Sequence, residues 1–229
     1  NLANQFKMKK DQSNVVKNIL NCKTENGVKY YLLEWANGDI PTWEPSENVS
    51  DYTIKCYNIV QTFNANIHNN VNPRKAIVYN RVSSENDTSI DTQKAFNLQY
   101  CKNVNMQLSK YAEDNGVSGN YCSTRKMMKN LNPELGYILQ DINSQYALIV
   151  YSVDRLGRHA ASVLNILQSI VNIGAEVVFV KENITWNANT PSHIKKMVEQ
   201  LIIDSEHLSN LTREKVQNSI NRLKAQGHY

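Results

Sequence analysis

Hydrophobic and polar positions fall into two textures along this chain, with the change near residue 74. In the first, short apolar runs alternate with turn residues. Val15-Val-Lys-Asn-Ile-Leu20, Lys29-Tyr-Tyr-Leu-Leu-Glu-Trp35 and Thr42-Trp-Glu44 read as strands, separated by Glu25-Asn-Gly27 and Ala36-Asn-Gly-Asp39. Between Asp51 and Phe63, the residues Ile54, Tyr57, Ile59, Val60 and Phe63 recur at near-helical spacing. That spacing predicts a helix closing a small, self-contained barrel over residues 14–63. Asn64 to Pro73 is polar, rich in asparagine and ends in proline, so residues 64–74 read as a linker.

In the second texture strand and helix patterns take turns. This ordering predicts an α/β domain over residues 75–190, a mostly parallel sheet flanked by helices. Ala76 to Val82 reads as a buried strand. A helix from Ser89, its expected N-cap, to Asn103 carries Ile90, Phe96 and Tyr100 on its face. A strand near Gln107 to Ala112 leads into the loop Glu113 to Gly119, and a helix spans Pro133 to Ile142. A second apolar strand runs from Leu148 towards Asp154. The next helix has Val163, Ile166, Leu167, Ile170 and Val171 in one stripe and stops at Gly174. Ala175 to Val180 is the last clear strand. Residues 191–227 then form one long helix with an apolar seam of Ile194, Met197, Val198, Leu201, Ile202, Leu208 and Leu211.

Two strands thus end in arginines. Tyr79, Arg81 and Ser83 share one side of the first, and the second runs into Asp154, Arg155 and Arg158. Of the seven arginines in the chain, three lie in these two motifs, while lysine carries the charge elsewhere. A planar guanidinium suits a phosphate held in fixed geometry, and a serine among such groups suits attack on phosphorus. The structural alternative is that Ser83 caps the following helix and that Asp154 pairs with Arg158.

The chain of 229 residues has room for two domains, and its net charge of +4 lies entirely beyond Asn72. Arg213, Lys215, Arg222 and Lys224 outnumber Glu214 at the end of the long helix, where they are candidates for contact with phosphates. Cys22, Cys56, Cys101 and Cys122 show neither paired CxxC spacing nor accompanying histidines, so no metal site and no cofactor is signalled. No run is apolar enough for a membrane, and a soluble, intracellular protein is expected.

Tyr79-x-Arg81-x-Ser83-Ser84, Ser89-Ile-Asp-Thr-Gln93 and Asp154-Arg155-Leu-Gly-Arg158 together resemble the resolvase/invertase family of serine recombinases, over about Lys75 to Gly227. The resemblance implies a site-specific recombinase acting on double-stranded DNA. Ser83 would be its nucleophile and would form a 5′-phosphoserine link. Arg81, Arg155 and Arg158 would grip the phosphate, Asp154 would orient an arginine or assist proton transfer, and Tyr79 and Gln93 would support the pocket. It implies a homodimer joined through the long helix and a tetramer on DNA. Asn132 stands where the family has an arginine, and Arg125 is the candidate substitute. Many relatives continue past this point into a helix-turn-helix reader, and the chain lacks an initial methionine, as a fragment would.

Tyr31-Leu-Leu-Glu-Trp35 with Pro41-Thr-Trp-Glu-Pro45 is similar to the chromodomain signature. That likeness implies a peptide or histone-tail partner, with Trp35 the matching cage residue and Trp43 packed inward. The alternative for the whole chain is accordingly a chromodomain-bearing adaptor that holds DNA without cutting it.

Overall fold

The computed structural model describes residues 15–65, 67, 72, 74–82, 88–115 and 133–226. Its first element is an antiparallel sheet of β1 (Val16–Glu25), β2 (Val28–Trp35) and β3 (Thr42–Pro45), in that order. β1 runs five residues beyond the predicted Leu20 because Asn26 and Gly27 take φ of 52° and 79°. Two left-handed residues make the tight turn whose twist matches a hairpin. Tyr31, Leu33 and Val49 form a small core with Val16, Ile19 and Trp35 around it.

Helix α1 (Asp51–Asn64) follows, capped by Ser50, whose hydroxyl accepts from the Thr53 amide at 3.1 Å. The helix does not close a self-contained barrel. Ile54 and Tyr57 pack on the small core, but Cys56, Ile59, Val60 and Phe63 pack on a second, larger sheet. Apolar residues therefore cover two sides of α1, and three short strands cannot hide both.

The larger sheet contains β4 (Lys75–Val82), β5 (Leu108–Asn115), β6 (Tyr146–Val150), β7 (Glu176–Phe179) and β8 (Ile184–Trp186), in the order β5-β4-β6-β7-β8. The first four are parallel, and β8 returns antiparallel along β7. β8 escapes the sequence pattern because only Ile184 and Trp186 point inward, too short a run to show a period.

Helices α3 (Pro133–Asp141), α4 (Ala160–Asn172) and the start of α5 (Ser192–Ala225) cover one face, through Leu135, Ile138, Leu139, Val163, Ile166, Leu167, Val198 and Ile202. The expected stripe of α4 is buried there. Gly174, at φ 78°, ends that helix, and a Cβ on it would sit 3.2 Å from the Ser144 Cβ. The opposite face is covered by α1 and by α2 (Ile90–Asn103). Ser89 caps α2 as expected, but the inward face of this helix is Gln93, Asn97 and Cys101. Phe96 is 53% exposed and lies against Tyr151, ring centroids 5.6 Å apart. The reason is that the end of β4 offers hydrogen-bond partners, which polar side chains on α2 take up.

The expected linker is tied down where it is described. Asn72 Oδ1 accepts from the Arg74 amide, and Arg74 Nη1 donates to the carbonyls of Ser144 and Gly174 at 2.7 and 3.0 Å.

Candidate active site

β4 and β6 are parallel neighbours, with Tyr79 opposite Val150, so their C-terminal ends lie side by side at one edge of the sheet. This is where open α/β sheets place ligands. Past β6 the chain turns through a single 3₁₀ turn, Val153–Arg155, and the two arginine motifs meet there.

Arg81 is completely buried. Its Nε donates to the Arg155 carbonyl at 3.0 Å and its Nη2 to the Asp154 carbonyl at 2.8 Å. Arg155 reaches back, its Nη1 donating to the Arg81 carbonyl at 3.1 Å. The same Arg155 binds Asp154 Oδ2 through Nη2 at 2.7 Å, and Ser152 Oγ donates to Asp154 Oδ1 at 2.5 Å. Each motif thus holds the other's backbone with a charge-assisted bond. Burial pulls the Arg81 pKa down, and the positive charges of Arg155 and Arg158 pull the same way against Tyr79 and Asp154. An electropositive centre is therefore built into the sheet edge. Arg158 stands half-buried just beyond the turn.

Gln93 is fastened to the same strand end. Its Oε1 accepts from the Arg81 amide at 3.1 Å, and its Nε2 donates to the carbonyls of Arg81 and Thr88 at 3.0 and 2.7 Å. The Tyr79 hydroxyl donates to Asp114 Oδ2 at 3.0 Å. Asp114 ends β5 and also accepts, at 3.4 Å each, from the Glu134 and Leu135 amides in the first turn of α3. Burial pushes its carboxyl pKa up. Sequence reasoning missed Asp114 by assigning it to a loop, although an acid closing a strand ahead of a helix was the available sign.

Ser83, Arg125 and Asn132 lie outside the described residues; Ser83 follows Val82, the last residue of β4. Arg213, Lys215, Arg222 and Lys224 are exposed on the C-terminal half of α5. Trp35 is half-buried against the small N-terminal core, its Nε1 donating to Thr42 Oγ1 at 3.1 Å. Trp43, expected inside, is 38% exposed with the Lys23 ammonium 4.6 Å over its ring. It shares a face with Leu32, its partner in register, on the side of β2 opposite the core residues Tyr31 and Leu33. A cavity of about 990 Å³ between α1 and α2 is lined by Ile54, Ile59, Phe63 and Leu98 and by none of the arginines discussed. In the arginine centre Arg81 and Arg155 are buried, and Asp154 and Arg158 are its half-buried members.

Residues 76–229 match the family model described as the resolvase N-terminal domain. The match leaves residues 1–75 outside it and lends the chromodomain likeness no support. Two solved structures are similar. The N-terminal catalytic domain of TP901-1 integrase is 22% identical, with a TM-score of 0.40 over 62% of this chain and 98% of that one. A resolvase family site-specific recombinase from Streptococcus pneumoniae is 19% identical, with a TM-score of 0.38 over 66% and 99%. No curated protein matches the chain.

Proposed function

The chain belongs to the resolvase family of site-specific recombinases, and from that premise we propose that it cuts and rejoins DNA with Ser83 as nucleophile and the Arg81–Asp154–Arg155–Arg158 centre as its electrostatic support. The observation that carries this reading is the reciprocal bonding of Arg81 and Arg155, which fixes two sequence-distant motifs beside the end of β4.

Ser83 Oγ attacks the phosphorus of a DNA phosphodiester. The bond from phosphorus to the 3′ oxygen breaks, the serine's proton leaves, and a proton reaches the 3′ oxygen to free a hydroxyl. The 5′ phosphate stays on the serine, and the reverse reaction with a new 3′ hydroxyl rejoins the strand. Negative charge grows on the phosphoryl oxygens during both steps, and fixed cations stabilise it because they need no reorganisation. Arg155 and Arg158 supply that charge. Arg81, bonded to the Asp154 and Arg155 carbonyls, holds the turn that carries them. Asp154 keeps Arg155 in place.

The exposed apolar residues of α5 pair with a second copy. Its basic end, Arg213 to Lys224, lies along DNA phosphates, and two such dimers assemble on DNA.

The test is a cleavage reaction on supercoiled DNA stopped with denaturant. Wild type is expected to give protein linked to 5′ DNA ends and Ser83→Ala none, while Arg155→Ala and Arg158→Ala each slow adduct formation by about a hundredfold. Equal adduct from wild type and Ser83→Ala would sink the assignment.

A further inference from the structure

β5 is the edge strand of the larger sheet, so one row of its backbone groups faces away from β4. Helix α1 covers that row with two reciprocal clamps. At one end, the Tyr52 hydroxyl accepts from the Glu113 amide at 2.8 Å and donates to the Glu113 carbonyl at 3.1 Å. At the other, Asn64 Oδ1 accepts from the Leu108 amide at 2.9 Å and its Nδ2 donates to the Leu108 carbonyl at 2.7 Å. The spans agree: Tyr52 to Asn64 is about 18 Å of helix, and Leu108 to Glu113 is about 17 Å of strand. The helix therefore lies antiparallel along the strand, its first turn at the strand's C-terminal end.

A third bond strengthens the site end. Lys55 Nζ reaches Glu113 Oε2 at 2.6 Å, and the Tyr111 hydroxyl binds the other carboxylate oxygen. The Glu113 side chain is 7% exposed and that of Lys55 51%, so the acid is fixed and the lysine reaches in to it. The next residue is Asp114, which holds the Tyr79 hydroxyl and the first turn of α3.

We propose that Tyr52 and Lys55 are positioning residues for strand cleavage, acting through Glu113 on the placement of Asp114 and Tyr79, so that the N-terminal segment is a working part of the catalytic unit. This rests on the recombinase reading above. It adds that residues outside the family match set the rate of the family's reaction.

Two readouts on the full chain test it. In the cleavage reaction, Tyr52→Phe and Lys55→Glu are each expected to form adduct about tenfold more slowly, as small displacements of reacting groups do. Combining Lys55→Glu with Glu113→Lys should restore most of the rate, which a general loss of stability would not allow. Ser83→Ala run alongside separates the failures. If it abolishes adduct while Tyr52→Phe and Lys55→Glu react like wild type, the brace is overturned and the nucleophile stands. The second readout needs no cleavage. Amide exchange in Tyr52→Phe should quicken at Glu113 and also at Glu134 and Leu135, the donors to Asp114. Quickening confined to Glu113 overturns the proposal, and should Tyr52→Phe fail to fold, the Lys55/Glu113 reversal decides.

Discussion

Glu182 shows how a single carboxyl near the site sets a pH dependence. It lies two residues past Val180, in a stretch whose Val180 and Lys181 amides donate to the Val150 and Tyr151 carbonyls at 3.0 and 2.7 Å. This extension runs beside the end of β6 and brings Glu182 level with the arginine turn. Burial pushes its pKa up, against its own backbone amide, the Lys181 charge and the Val153 amide, and the Asp154 charge adds to the rise. Its Oε2 is buried without a hydrogen-bond partner. A carboxyl whose pKa is raised on folding keeps its proton after the unfolded chain has lost it. Its contribution is therefore fully present in acid and is lost as pH rises from the unfolded carboxyl's range, about 4.3, through the folded pKa. Glu182→Gln should leave urea stability at pH 4 unchanged and raise it at pH 7; equal shifts at both pH values would refute this account. Nothing in the local sequence marks Glu182. Ser83, Arg155 and Arg158 stood out as residue types in a pattern, whereas Glu182 becomes unusual only once β6 and β7 lie side by side.

At the scale of elements, α2 is the least ordinary helix. Asn97 is buried and its Nδ2 donates to Asn80 Oδ1 at 2.9 Å across the gap to β4. Replacing Asn97 with leucine leaves that oxygen buried without its donor, at an expected cost of about 1 to 3 kcal/mol. Changing both residues to leucine should cost less than Asn97→Leu alone, because no polar atom of the pair then remains. Denaturant titration of the two singles and the double measures the coupling, and strict additivity would contradict it. The same pair explains why the face of α2 was misread. Periodicity looks for apolar residues, and this helix turns Gln93 and Asn97 inward because the end of β4 presents polar partners. The strands β2, β4, β6 and β7, the stripe of α4 and the cap of α2 were legible, since each follows from local pattern or a capping residue. What α1 packs against was not legible, because its spacing fits either sheet.

The whole molecule is shaped by α5, 34 residues and so about 50 Å long. Its seam divides in two. Val198 and Ile202 are buried and Ile194 and Leu201 partly so, all against the same domain, and Glu206 accepts from the Ala160 amide at the start of α4 at 3.1 Å. Met197, Ile203, Leu208, Leu211, Val216 and Leu223 stay exposed, Leu208 at 65%. Each would gain roughly 1.5 to 3 kcal/mol if fully buried, and a two-fold pairing is the simplest means. Leu208→Asp should therefore turn a dimer into a folded monomer in sedimentation at micromolar concentration, whereas Leu201→Asp should also lower thermal stability. A monomeric wild type would refute the pairing. Sequence alone showed one seam; dividing it into inward and outward positions needed the docked helix.

The clamps of α1 on β5 also bear on how the protein behaves when cut. A chain begun at Arg74, where the family match would suggest trimming, would bare the outer backbone of Leu108 to Glu113 together with the apolar surface now under Ile59, Val60 and Phe63. An open edge of that kind pairs with the edge of another molecule. Such a shortened protein is expected to accumulate as aggregates with added β-structure, with charge reversals on α5 giving no relief. On this expectation the N-terminal segment keeps the larger sheet from growing.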